Sequence, residues 1–242
     1  MSVAGVLRAG ATTARGERRF WGCMAVGMAL VAFAGFAPSY YLKSHFTFGP
    51  TLTPLLRLHG AVMTAWLALL VTQTTLIAAR RISWHRRLGI VAAGLAAALI
   101  VLAAYTAILR AKQGLLGEGM IPPLQFLAIP LMSILVLPVL IGAAIYFRNR
   151  SDYHKRLIML ANVEFVTPAA ARLMIMAGLG PPVGFALCDL FLLAIVTRDL
   201  VTLRRIHPAT LWGGVFLVAC QPTRFLISGT HAWLSFAGWL TG

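Results

Sequence analysis

Charge is scarce in this chain, and negative charge scarcer still. Of 242 residues 11% are Asp, Glu, Lys or Arg, and only six are acidic. Soluble domains carry about 25% charged residues, so the deficit argues that lipid surrounds most of the chain. Lysine occurs only at Lys43, Lys112 and Lys155. The last long apolar segment therefore offers no amine for a retinal Schiff base. Three cysteines, Cys23, Cys188 and Cys220, sit within apolar stretches and without CxxC or CxxCH spacing. A zinc ribbon, a thioredoxin-like centre and covalent c-type haem lose support, and buried thiols acting as small apolar residues remain. No HExxH, HxxxH, GxSxG or P-loop string occurs. Zinc hydrolysis, serine hydrolysis and nucleotide-driven chemistry thus lack their usual residues.

What is present is apolar length. The composition is 60% hydrophobic, with a mean hydropathy of +0.84. A spanning helix needs about 20 mostly apolar residues, and seven stretches qualify: 20–42, 53–79, 88–109, 123–147, 157–177, 183–203 and 208–228. The fold expected is all-α, a polytopic transmembrane bundle of seven spanning helices over residues 20–228. Residues 1–19 form a basic cytoplasmic tail. Residues 229–242 are too short to span, and Trp233 and Trp239 suit an interfacial segment.

The 21 basic residues give a net charge of +15. In a soluble protein that balance would indicate nucleic acid; here it falls between the apolar runs. Arg8, Arg15, Arg18 and Arg19 precede the first. Arg80, Arg81, Arg86 and Arg87 lie between the second and third, Arg148, Arg150, Lys155 and Arg156 between the fourth and fifth, and Arg204 and Arg205 between the sixth and seventh. All four clusters fall on one side, so the positive-inside rule puts the N-terminus in the cytoplasm and the C-terminus outside. Anionic headgroups are the partners such flanks attract, and nucleic acid is not. "AFA" at 32–34 has the small residues of a signal-peptide cleavage site, but the apolar run continues to Tyr40 and Tyr41, and a retained helix is expected. Pro122, Pro123, Pro130 and Pro138 predict a kinked or broken fourth helix.

"SWHRRL" at 83–88 recurs as "DYHKRL" at 152–157. Ser83 and Asp152 stand where an N-cap belongs, Trp84 and Tyr153 at headgroup depth, and Leu88 and Leu157 open the apolar runs. Anchoring at the inner interface explains every letter but the histidines. His85, His154 and His207 all begin segments that start from the cytoplasmic side. Three imidazoles suffice for a zinc or iron site, with Asp152, Asp199 or Glu164 to orient it; solvated interfacial histidines are the plainer reading.

Charges within the apolar runs cost about 2.5–3.5 kcal/mol each to insert. Arg57, Arg172, Asp189, Gln221 and Arg224 share the outer half. One acid for three cations leaves two seeking a bound anion or a lipid phosphate, or else snorkelling to headgroups. His59, Met63, Trp66 and Gln73 share one face of the second segment, which should turn inward. His59 is a candidate axial ligand for haem b or a satisfied interior histidine. Glu164, near Pro168, is a candidate proton or ion site or a partner for the kink.

The ordered series "AGFAPSYYL", "LHGAVMTAWLALLVTQ", "HRRLG", "HKRL", "HPATLWGG" and "QPTRF" resembles a widespread set of uncharacterised bacterial multi-pass membrane proteins, across most of the chain. That resemblance implies a bacterial inner membrane and carries no activity. Three functional readings follow: a non-enzymatic accessory subunit of a membrane complex or a lipid or pigment binder; a b-type haem or metal protein; and a transporter of a small anion. Partners are expected among membrane lipids and other integral subunits.

Overall fold

The computed structural model describes the backbone of residues 3–117 and 121–242, and side chains from residue 15 onward within those stretches. The side chain of Arg8 lies outside the described residues. Helix α1 spans Val3–Phe36, so tail and first apolar run form one continuous helix. It widens into a π turn at Ala37–Tyr41, around Pro38, and ends in a short 3-10 turn at Lys43–His45. Then follow α2 (Pro54–Ala78), α3 (Ile82–Lys112), α4 (Pro123–Phe126), α5 (Ala128–Tyr146), α6 (Ser151–Met176), α7 (Val183–Leu203), α8 (Pro208–Ser228) and α9 (His231–Thr241). No strand occurs among the described residues.

Five stretches are long and apolar enough to cross a membrane: Arg15–Tyr41, Pro54–Ala78, Ile82–Lys112, Pro123–Tyr146 and Ser151–Met176. The remaining long helices, α7 and α8, have 21 residues each. They match the expected boundaries but carry Asp189, Arg198 and Asp199, and Gln221 and Arg224, respectively.

Helix α6 is the axis of the bundle. It packs on α1, α5, α7 and α8, while α2 bridges α1 and α3, and α3 closes on α5. Its apolar content is modest because its surroundings are protein: Leu160, Asn162, Ala169 and Ala170 have no exposed surface. Two glycines set how closely the neighbours approach. A Cβ on Gly35 of α1 would stand 2.2 Å from the Ala169 carbonyl oxygen, and one on Gly184 of α7 would stand 2.5 Å from the Ala171 nitrogen. Apolar burial drives helices together weakly in lipid, so such backbone contact supplies much of the packing.

The proline-rich segment is broken as expected, and the break has a local cause. Pro130 has no N–H, so the Phe126 carbonyl loses its i+4 donor and α4 ends there. Pro138 sits inside α5 without ending it. The C-terminal helix α9 packs on α3, α4 and α8. Trp233 Nε1 donates to the Leu124 carbonyl at 2.8 Å, while Trp239 stays exposed.

Two expectations about the repeated motif are corrected. Helices α3 and α6 begin at Ile82 and Ser151, about six residues before the apolar runs at 88 and 157. Hydropathy marks where a helix enters lipid, not where it starts. Ser83 and Asp152 are not caps: the N-cap positions are Arg81 and Arg150, without side-chain hydrogen bonds. Tyr40 and Tyr41 also do more than mark an interface. Tyr40 OH donates to the Arg57 carbonyl at 2.9 Å, and Tyr41 shares a 2.8 Å hydrogen bond with Thr64, tying α1 to α2.

Candidate functional site: the polar interior

Polar side chains in the bundle fall into three levels. At the end where α3, α6 and α8 begin, Arg156 of α6 meets Asp199 of α7. Its Nε donates at 2.9 Å, its Nη2 makes a second contact to the same oxygen, and Nη1 donates to the Asp152 carbonyl at 2.8 Å. The other Asp199 oxygen accepts from Thr210 Oγ1 at 2.6 Å and from the His207 amide at 3.1 Å. His207 caps α8 with its own ring, Nδ1 accepting from the Ala209 amide at 3.1 Å. Its Nε2–H is then directed to Asp152 Oδ2 at 3.0 Å. Thus one carboxylate joins α6, α7 and the start of α8, and His207 is fully engaged in holding that corner. Lys155 pairs with Glu17 nearby, fastening α1 to the same end.

Midway along α6, Glu164 receives Arg224 of α8 in a two-pronged contact, Nη1 to Oε1 at 3.1 Å and Nη2 to Oε2 at 3.3 Å. Ser133 of α5 donates to Oε1 at 2.5 Å, and Arg224 Nε donates to the Cys220 carbonyl at 3.1 Å. The Arg224 guanidinium also lies over the Phe185 ring, 4.8 Å from its centroid. Side-chain exposure is 0% for Arg224 and 1% for Glu164, so water does not share this charge. One half-turn earlier on α6, Asn162 Oδ1 accepts from Trp66 Nε1 at 2.9 Å, pinning α2 to the axis.

The cation-rich half expected to lie outward is therefore less open than its composition suggests. Arg224 takes Glu164 rather than Asp189, and Asp189 instead accepts from Gln221 Nε2 at 2.8 Å. Arg172 donates to the Pro168 carbonyl at 3.3 Å and lies 4.7 Å from the Phe36 ring centroid. Arg57 is exposed and lines a surface cavity of about 560 Å³ with Tyr40, Lys43, Ser44, Thr51 and Leu52. Arg224 and Arg172 thus lie over different rings, Phe185 and Phe36, and Arg224 is taken up by Glu164.

The α2 stripe faces inward, as its spacing predicts. Trp66 is buried, Gln73 Nε2 donates to the His85 carbonyl at 3.3 Å, and His59 Nδ1 is buried without a hydrogen-bond partner. Fourteen residues separate His59 from Gln73, about 21 Å of helix, so His59 and His85 sit at opposite ends of the bundle. Of the three histidines at one depth, two come together: the His85 and His154 rings have centroids 6.3 Å apart at 83°. His207 is held by Asp152 instead. Among the described residues no three His, Cys, Asp or Glu side chains gather as a metal-binding group.

Sequence reasoning assigned Arg156 to the cytoplasmic charge cluster and missed Ser133 entirely. One signal for Arg156 was available: Asp199 is an acid at the matching end of the next helix, where an unpaired carboxylate would be costly. For Ser133 none was, since a single serine in an apolar helix commonly bonds its own backbone. No family model matches the chain, and neither a curated protein nor a solved structure does.

Proposed function

We propose that this chain is a seven-span integral protein of a bacterial inner membrane, N-terminus in the cytoplasm and C-terminus outside. We further propose that it serves as an accessory subunit or a lipid- or pigment-binding protein, not as an enzyme. Helices α7 and α8 have the length to span, and their acids and Arg224 bond to groups inside the protein rather than facing lipid. The basic clusters all lie at or just before the starts of the apolar runs of α1, α3, α6 and α8, which supports the orientation. The bacterial assignment rests on the motif resemblance.

The observation that carries the functional reading is the closed Glu164–Arg224–Ser133 unit. A transport site for an anion needs a cation that can exchange partners, and Arg224 is bound to a carboxylate with no exposed surface. The polar interior joins helices to each other rather than lining a path. The test has two arms. Extraction into polymer nanodiscs without detergent should co-isolate a second integral protein or a defined lipid in fixed stoichiometry. Proteoliposomes should take up chloride, sulfate and phosphate no faster than empty vesicles. Uptake that disappears in Arg172→Ala would replace this reading with anion transport.

A further inference from the structure

The two motif histidines occupy the same position in the two repeats, and the fold brings them into edge contact, nearly perpendicular. His154 Nδ1 contacts the Ala144 carbonyl at 2.8 Å. A carbonyl only accepts, so Nδ1 donates and, in the neutral ring, Nε2 presents its lone pair. That is the arrangement of a metal-binding imidazole oriented by a backbone carbonyl behind it. His85 Nδ1 is buried and has no hydrogen-bond partner. Gln73 Oε1 is buried without a partner as well, although its amide nitrogen holds the His85 carbonyl. Buried polar atoms left unpaired call for a ligand or a water.

Distance narrows the ligand. An imidazole bound at about 2.0–2.1 Å places its ring centre about 3.2 Å from the metal, so two sharing one ion stand about 5.2 Å apart at a tetrahedral angle and about 6.4 Å apart when opposed. The observed 6.3 Å falls within that range, so one ion is within reach of both rings. Charge narrows it further. Both imidazoles and the amide are neutral donors, and Arg86 and Arg87 follow His85 directly. A site of neutral donors, with cationic side chains following in the same helix, favours the ion of lowest charge. Imidazole is a good ligand for copper, and the singly charged copper ion is satisfied by two nitrogen donors where divalent ions want about four or more.

We propose that His85 and His154 bind one cuprous ion between the starts of α3 and α6, with Gln73 Oε1 as a weak third donor. The site needs no third histidine, so His207 remains free for its corner with Asp152 and Asp199.

The test uses the full chain in mild detergent, stripped by chelator and titrated with Cu(I) under reductant against bicinchoninate. One tight equivalent per chain is expected. Copper K-edge absorption should show imidazole nitrogens as its nearest scatterers. His85→Ala should abolish that equivalent while leaving the elution volume of the apo-protein unchanged. His154→Ala should abolish it too, at a cost in stability from the lost Ala144 contact. Gln73→Leu should weaken it about tenfold, and His231→Ala, on α9, should bind as the parent does. Copper binding that survives in well-folded His85→Ala would overturn the proposal. So would a chain that takes up zinc in preference to copper, or one that binds neither.

Discussion

Arg224→Met is the most informative single substitution. It removes the charge but keeps an unbranched chain that can still lie along Phe185. Glu164 would then remain at 1% exposure with Ser133 as its main donor. Removing one partner of a buried ion pair costs about 3–5 kcal/mol, because the other charge stays unpaired. Against a total stability of about 5–15 kcal/mol, that is a large part of what holds α8 to α6. Glu164→Leu should cost a similar amount by stranding Arg224. The double variant should recover most of the loss, since replacing a whole buried pair by apolar groups is often neutral or stabilising by about 1–4 kcal/mol. The coupling is therefore several kcal/mol, and additivity is excluded. Reversible unfolding by SDS in mixed micelles, followed by circular dichroism, measures all four corners of the cycle. Arg224→Met within about 1 kcal/mol of the parent, or a double variant as unstable as the sum of the singles, would refute the pairing. That result would also return Arg224 to the pool of cations open to an external anion.

Two other outcomes follow from the packing. Asp199→Asn removes the charge opposite Arg156 and leaves a single acceptor oxygen where two serve the Arg156, Thr210 and His207 donors. It should cost about 3–5 kcal/mol and speed proteolysis at the Arg204–Arg205 turn; unchanged cleavage kinetics would show that this corner does not hold α7 to α8. Gly35→Val sets a branched side chain where even a Cβ would lie 2.2 Å from the Ala169 oxygen, and overpacking costs about 1–3 kcal/mol or more. Its melting temperature should fall well below that of Gly22→Ala, a position with nothing within 4 Å; equal values would mean that α1 and α6 are not in backbone contact.

What could be read from the sequence was whatever depends on one helix at a time. The apolar runs located the long helices, and at 183–203 and 208–228 the limits coincide with α7 and α8. The proline spacing foretold the break before α5, since a missing N–H acts on its own helix. The stripe from His59 to Gln73 showed which face of α2 turns inward. Pairing between helices was not legible, because sequence gives depth along an axis but not rotation about it. Arg224 and Asp189 lie at similar depth by sequence, yet the guanidinium takes Glu164 on α6, and Gln221, three residues earlier on α8, takes the aspartate.

The repeated motif shows how far identical letters can diverge once their neighbours differ. Arg87 and Arg156 hold the same position, but α3 lies at the periphery and α6 at the axis. Arg87 is exposed, its guanidinium 5.7 Å from the Trp84 ring centroid, whereas Arg156 is 4% exposed and bound to Asp199. Ser83 makes no cap, and Asp152 at the same place holds His207. Membrane anchoring explains why the letters recur, since every inner helix start needs an aromatic, cations and an apolar entry. It does not explain why both copies have histidine, a side chain whose two copies meet each other in the fold. A topological signal would act equally well with the rings apart. Their approach across α3 and α6 is therefore the part of the repeat that topology leaves over, and a shared ligand gives both rings a reason to be there.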